Sequence, residues 1–179
     1  MSEGMSIRVA RERDVELARA LTNRSWLSTY PPLIGEQATR DIIADRHSHA
    51  RFAAQAVAAE SDPVGMFLVA EMDGTVAGHC YAFEKGGCYV DRLHVAPELK
   101  GRGIGRSLLD YLEAAQSPGS RIWLDVLEGN DSAMAFYRKA GFQECGKTPA
   151  CGGLAGIPAV IFEKTLAGRS NNHQEGQRT

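Results

Sequence analysis

The chain has 179 residues, 44% hydrophobic and 23% charged, proportions that suit one globular domain. Its formal net charge of −2 gives no global field that would draw nucleic acid or an anionic membrane, so neither is expected as a partner. Arg8, Arg11, Arg13, Asp14 and Glu16 interrupt the N-terminal stretch, which leaves no apolar core for a secretory signal, and no apolar run approaches the ~20 residues of a membrane span. Cys80, Cys88, Cys145 and Cys151 form no C-x-x-C pair and read as reduced thiols, which points to a cytoplasmic chain.

In chain order, residues 1–5 are expected to be flexible, 6–166 to form one domain, and 167–179 to be a disordered polar tail. Ile7–Ala10 reads as a first strand. Asp14–Leu27 reads as a helix, with Val15, Leu17, Ala18 and Leu21 in helical register. "TYPPLIG" breaks it, Glu36–His47 restarts a helix, and "RFAAQAVAAE" adds another. Met66–Met72 and Thr75–Glu84 are strand patterns joined by Asp73-Gly74, a strong hairpin signal. Gly86-Gly87 turns the chain into a strand over Cys88–Val95, whose alternation puts Tyr89, Asp91, Leu93 and Val95 on one face. Ile104, Leu108 and Leu112 then mark a helical stripe. Arg121–Leu127 is a strand, and Asn130 and Gly141 bound a further helix as N-cap and stop. Phe142–Thr148 and Ile157–Leu166 close the order as a strand pair joined by "CGGLAG".

The segment "ELKGRGIGRSLLDYL" departs from ordinary helix chemistry. A helix start exposes unpaired N–H groups and a partial positive charge, which an acidic first turn would offset. Here Lys100, Arg102 and Arg106 surround that start, and the first acid is Asp110. An external anion would supply the missing charge, and glycine would let the backbone approach it. The segment therefore reads as a phosphate or pyrophosphate site, against the plainer alternative of a glycine turn before a surface helix with solvated arginines. The P-loop pattern is absent, and neither Gly101 nor Gly103 starts a G-x-G-x-x-G.

"LHVAPELKGRGIGRSLL" resembles the acyl-CoA-binding segment of the Gcn5-related N-acetyltransferases, an apolar strand and a proline followed by Q/R-x-x-G-x-G/A. Lys100-Gly101-Arg102-Gly103-Ile104-Gly105 occupies that motif, with Lys100 in place of Gln or Arg. A second segment, "NDSAMAFYRKAGF", resembles the family's N-x-x-A-x-x-F-Y-x-x-x-G-F at Asn130, Ala133, Phe136, Tyr137, Gly141 and Phe142. The clear match runs from Val64 to Thr148.

The resemblance implies an α/β (α+β) fold, a twisted mixed sheet of about six to seven strands flanked by helices. Its central parallel strands splay apart to hold acyl-CoA. It implies acetyl-CoA as cofactor, with the pyrophosphate at the backbone N–H groups from Arg102 to Arg106, and Ser107 beside them. Leu93, His94 and Val95 would lie along the thioester arm, with Leu93 and Val95 lining it. Asn130 would bind the arm, cap its helix, or do both. Tyr137 falls where the family places its general acid, and a phenol with an ordinary pKa of about 10 holds its proton at neutral pH; the plainer reading is a core tyrosine. The general base stays open among Asp91, Glu84, Asp125 and water-mediated proton removal. Tyr89 stands where some relatives carry a glutamate base. His94 reads as structural.

His47 and His49 lack metal-ligand partners in the sequence, so no metal is expected. No His–Cys constellation accompanies Cys80 or Cys88, so direct transfer in a ternary complex is expected over an acetyl-cysteine intermediate. By the same resemblance the acceptor would lie between Trp26, Tyr30 and the "PPLIG" loop on one side and "TPACGGLAG" on the other; Trp26 and Tyr30, four residues apart, share a helix face if the first helix reaches that far, or serve as core aromatics. The acceptor would be a primary amine of a small molecule or peptide: polyamine, amino acid, aminoglycoside, xenobiotic amine and protein N-terminus all remain open. The alternative from another class is a non-catalytic acyl-CoA-binding module on the same fold. Many relatives dimerise, so a homodimer is expected.

Overall fold

The computed structural model describes residues 4–168. The elements that place the site begin with β1 (Met5–Val9), α1 (Val15–Thr29), the single turn α2 (Pro31–Ile34), α3 (Glu36–Arg46) and α4 (His49–Ser61). They continue with β2 (Met66–Met72), β3 (Thr75–Glu84), β4 (Cys88–Val95), α5 (Ile104–Ala115), β5 (Arg121–Leu127), α6 (Asp131–Lys139), β6 (Gln143–Cys151) and β7 (Leu154–Thr165). Met5 already belongs to β1, so the expected flexible segment 1–5 is too long by at least that residue; residues 1–3 lie outside the described residues, as does most of the expected tail, from 169 onward.

The strands form one seven-stranded mixed sheet in the order β1-β2-β3-β4-β5-β7-β6. Every neighbouring pair is antiparallel except β4 and β5. The β2–β3 hairpin turns on Asp73 (φ 51°) and Gly74 (φ 74°), left-handed at both central positions, as a tight Asp-Gly turn requires. Phe52 of α4 and Val15 and Ala18 of α1 pack on Phe67 and Tyr81 on one face of the sheet. On the other face Ile104, Leu108 and Leu112 of α5 are fully buried against Leu68, Cys80 and Ile122. Each such leucine contributes about 1.5–3 kcal/mol by leaving water.

Three sequence expectations change. "TYPPLIG" is a break containing a helical turn of its own, because Pro31 suits the first helical position and Gly35 (φ 89°) ends it. β6 and β7 run through most of "CGGLAG" and turn at Gly152-Gly153, so the last hairpin is longer and tighter than expected.

The third change concerns β4. Tyr81 pairs with Arg92 but Ala82 pairs with Val90, so Asp91 is an extra residue, a β-bulge. A bulge resets the alternation. Leu93 and Val95 therefore share their face with Val90 and the α5 core, whereas Tyr89 lies on the side of Arg92 and His94. The expected common face of Tyr89, Asp91, Leu93 and Val95 does not exist.

Candidate active site

β4 and β5 pair only at Cys88–Ile122 and Tyr89–Trp123. Beyond Tyr89 they diverge, and from Val90 on the β4 edge toward β5 has no strand partner. Its backbone N–H and C=O groups are left for another ligand to satisfy. The gap is part of a cleft of about 630 Å³ that is lined by the start of α5, the strands β4 and β5, and the helices α1, α3 and α4.

At one end of the cleft lies the glycine loop. A 3-10 turn over Pro97–Leu99 delivers the chain to Lys100, and Gly103 is the N-cap of α5. Gly101 (φ 80°) and Gly103 (φ 82°) adopt left-handed backbone conformations, and a Cβ on either would meet nothing within 4 Å. They are glycine for conformation and leave open space above the helix start. No side chain caps α5, and its first turn contains no acid. Gly105 answers a different need: a Cβ there would come within 3.3 Å of Phe136 Cζ, so its absence lets α5 and α6 approach.

Lys100, Gly101, Gly103, Ile104, Gly105 and Arg106 line this end. Arg102 and Ser107 do not. The Ser107 N–H donates to Gly103 O at 2.9 Å, so it is spent inside the helix. Arg106 leans on Asp110 at 2.7 Å, and the Lys100 ammonium donates to Thr29 Oγ1 at 3.3 Å.

At the waist of the cleft stand Leu93, Val95, Asn130 and Tyr137. Asn130 Oδ1 accepts from Ala133 N at 3.2 Å, so it caps α6 while lining the cleft. Tyr137 is buried, packed against Phe136 and Phe142, and its phenol is pushed well above the usual range, mainly by burial. It is thus at once a core tyrosine and a cleft-lining one. Asp125 on β5 accepts from Tyr89 Oη (3.1 Å), from Gly152 N (2.8 Å) and from the Cys151 thiol (3.5 Å). This hub ties β4, β5 and the β6–β7 turn together where the strands part.

On the α1 side of the cleft, α1 reaches Thr29, the residue that Lys100 also contacts, and the Tyr30 N–H still donates to Trp26 O at 2.9 Å. Trp26 and Tyr30 therefore share a face, with ring centroids 4.2 Å apart, and both line the cleft. Asp91 and His94 line it as well. Asp91 pairs with Arg92 at 3.5 Å, and burial raises its pKa despite that cation. His94 shares a hydrogen bond of 3.0 Å with Ser25 Oγ, and burial and Arg92 lower its pKa to about 3. It is a neutral ring held by α1, in keeping with a structural role.

Glu84 is not brought to the cleft. Its carboxylate accepts from the Gly86 and Gly87 N–H groups at 3.1 and 3.2 Å and so closes the β3–β4 turn. Cys80 and Cys88 are buried, and burial pushes the Cys88 thiol up to about 12 and Cys80 further. Of the two loops expected at the acceptor, "TPACGGLAG" lines the cleft through Cys151, Gly152 and Leu154, and "PPLIG" does not. Sequence reasoning missed His47, Arg46, Arg51 and Arg92, which also line it. No local motif marks them; only the packing of α3 and α4 over the sheet brings them together.

A chain with this sheet and a cleft between diverging parallel strands can be placed by comparison with known proteins. The family model of the acetyltransferase (GNAT) family matches residues 21–142, and the chain belongs to that family. Among curated relatives, the N-alpha-acetyltransferase RimI of Mycobacterium tuberculosis is 35% identical over 92 residues, 48% of this chain and 57% of that protein. An uncharacterised N-acetyltransferase of Mycobacterium bovis is 27% identical over 134 residues, 73% of this chain and 83% of the relative. An uncharacterised protein of Mycobacterium leprae is 34% identical over 90 residues, 50% of this chain and 24% of its own length. The chain thus spans only part of the length of some of its curated relatives. Among solved structures, the PaiA N-acetyltransferase of Thermoplasma acidophilum in complex with coenzyme A superposes with a TM-score of 0.75 at 24% identity, over 93% of this chain and 100% of that one. The ribosomal-protein-S18-alanine N-acetyltransferase of Escherichia coli gives 0.65 at 19%, over 94% and 97%. At these identities the structural likeness establishes the fold. The family's cofactor is acetyl-CoA, and the uncapped start of α5 with open space over Gly101 and Gly103 fits a pyrophosphate.

Proposed function

We propose that the chain is an N-acetyltransferase that moves an acetyl group from acetyl-CoA to a primary amine of a small molecule or peptide, directly and in a ternary complex. The observation that carries this reading is the parting of β4 and β5 after Tyr89–Trp123, together with an uncapped helix start and with Tyr137 lining the cleft. Acetyl-CoA, when bound, supplies an activated acetyl thioester.

The protein's own residues would do the rest. The free N–H groups at the start of α5 bind the pyrophosphate, with Lys100 and Arg106 nearby as counter-charge. The unpaired β4 edge at Leu93 and Val95 orients the arm. Tyr137 keeps a proton on its Oη and offers it to the departing sulfur. Asp91, a cleft carboxylate with a raised pKa, accepts the amine proton, directly or through water. Trp26 and Tyr30 hold the acceptor's apolar part. Direct transfer is favoured because Cys80, Cys88 and Cys151 all have raised thiol pKa values, which disfavours a thiolate nucleophile.

The same reading takes the protein as cytoplasmic and as a homodimer; a light-scattering mass near the 19.4 kDa of one chain at micromolar concentration would remove the dimer. No helix among the described residues is long and apolar enough to cross a membrane. The test of function is release of CoA thiol from acetyl-CoA against a panel of amines. Tight acetyl-CoA binding with no thiol release for any amine would favour a non-catalytic acyl-CoA-binding module instead.

A further inference from the structure

The acceptor end of the cleft carries a charge pattern that no motif announced. Arg46 on α3, Arg51 on α4 and Arg92 on β4 all line it. Of the two carboxylates lining the cleft, Asp91 pairs with Arg92, and Asp125 is engaged by Tyr89, Gly152 and Cys151. Arg92 is committed, packed at 4.1 Å over the Phe52 ring and donating to Gln55 Oε1 at 2.7 Å. Among the described residues the ion pair of Arg46 is with the adjacent, exposed Asp45, a contact of little energetic weight. Arg51 makes no ion pair among the described residues. The charged side chains lining this part of the cleft are positive on balance, and Arg92, Arg51 and Arg19 add to burial in lowering the pKa of the adjacent His47 to about 4.

Two cationic forks lining a cleft short of free carboxylates suit an anionic ligand group, because a guanidinium binds carboxylate or phosphate through two parallel hydrogen bonds. They repel a second ammonium. Resting on the transferase reading above, we propose that the acceptor is a small amphoteric molecule. Its amine reaches the waist of the cleft, its apolar body lies on Trp26 and Tyr30, and its anionic group, a carboxylate or a phosphate, is held by Arg51 and Arg46. The cleft of about 630 Å³ must also take the arm of the cofactor, which leaves space for a compact acceptor. Polyamines and aminoglycosides, with several positive charges, are excluded by the same field.

The test measures binding of matched probes to the CoA-saturated full-length protein by calorimetry: phenylalanine against phenylalaninamide, 5-aminovalerate against pentylamine, phosphoethanolamine against ethanolamine, and spermidine alone. The expected result is that the anionic member of at least one pair binds roughly tenfold or more tightly than its partner and than spermidine. The carboxylate pairs and the phosphate pair tell the two sources of the anion apart. Arg51→Gln, a change on an exposed helix surface, should erase that preference and leave the Kd for CoA unchanged. The proposal is overturned if no probe with an anionic group binds, if the partners lacking that group or spermidine bind as well, or if Arg51→Gln keeps the preference. Failure of the transferase reading has a different signature: the anion preference persists in binding, while acetyl-CoA yields no thiol release with any probe.

Discussion

Tyr89 on β4, a member of the last pair that joins β4 to β5, donates its hydroxyl at 3.1 Å to Asp125, two residues beyond its partner Trp123 on β5. The side-chain bond continues across the gap where the backbone ladder has ended. It fixes how far the strands can separate at the waist of the cleft. Tyr89→Phe keeps the ring, which packs on Trp123 at 4.5 Å and on Phe83 at 5.3 Å, and removes only this bond. A hydrogen bond to a charged acceptor contributes about 1.5–3 kcal/mol, and the Gly152 N–H remains on Asp125, so a loss near the lower end of that range is expected. Urea unfolding of the two proteins measures it. Indistinguishable midpoints and slopes would show that the bond contributes nothing to holding the strands.

The glycine loop makes a prediction in which apo stability and ligand binding separate. Gly103→Asp places a carboxylate at the N-cap of α5, where it can accept the helix N–H groups itself. Its left-handed φ of 82° costs roughly 1 kcal/mol, which offsets the cap. The folded protein should therefore melt near the wild-type temperature but no longer be stabilised by acetyl-CoA, since its anion site is filled and negative. Equal ligand-induced thermal shifts in both proteins would remove the pyrophosphate assignment.

Tyr137→Phe tests the proton donor. The ring packing against Phe136, Phe142 and Phe162 survives the change, so melting temperature and acetyl-CoA Kd should stay close to wild type. Turnover should fall by about 100- to 10,000-fold, the usual contribution of a positioned acid. Single-turnover measurement keeps product release from hiding the chemical step. Wild-type chemistry in a folded, cofactor-binding Phe variant would exclude Tyr137 as an essential acid.

Two buried histidines, His47 and His79, and the half-buried His94 predict how stability depends on pH. Folding lowers the pKa of His47 to about 4, of His94 to about 3 and of His79 well below its ordinary value, chiefly by burial. His79 and Thr22 Oγ1 lie 2.6 Å apart, and Thr22 in turn donates to Ala18 O, so His79 Nε2 carries its proton as the donor. Because the folded pKa values lie below the unfolded value of about 6.5, the unfolded chain binds more protons in this window and stability is lost as pH falls. From pH 6.5 toward 5 the loss should approach about 1.4 kcal/mol per pH unit for each histidine. His47→Gln should flatten the curve by one such increment. Parallel curves for variant and wild type would show that His47 titrates alike in both states.

Chemistry written in adjacent residues is legible in the sequence alone. The Asp73-Gly74 turn, the buried stripe of α5, the Asn130 cap, the Gly141 stop and the cationic, acid-free start of α5 each depend on neighbours within a few positions. The sheet and the family follow from the two motifs that Lys100–Gly105 and Asn130–Phe142 carry. Other features depend on pairings between distant segments. Period-two alternation in "CYVDRLHV" cannot reveal that Asp91 bulges, because the bulge exists only in the register with Tyr81 and Ala82. Glu84 and Asp91 look alike as carboxylates at strand positions, yet one closes a turn and the other faces the cleft. Asp125 becomes a hub only when β6 and β7 fold long enough to bring Cys151 and Gly152 to it. The arginines of the acceptor end lie on two helices and a strand, with no shared spacing in sequence. Their common field arises only after α3 and α4 close over the sheet, because charge adds through space and not along the chain.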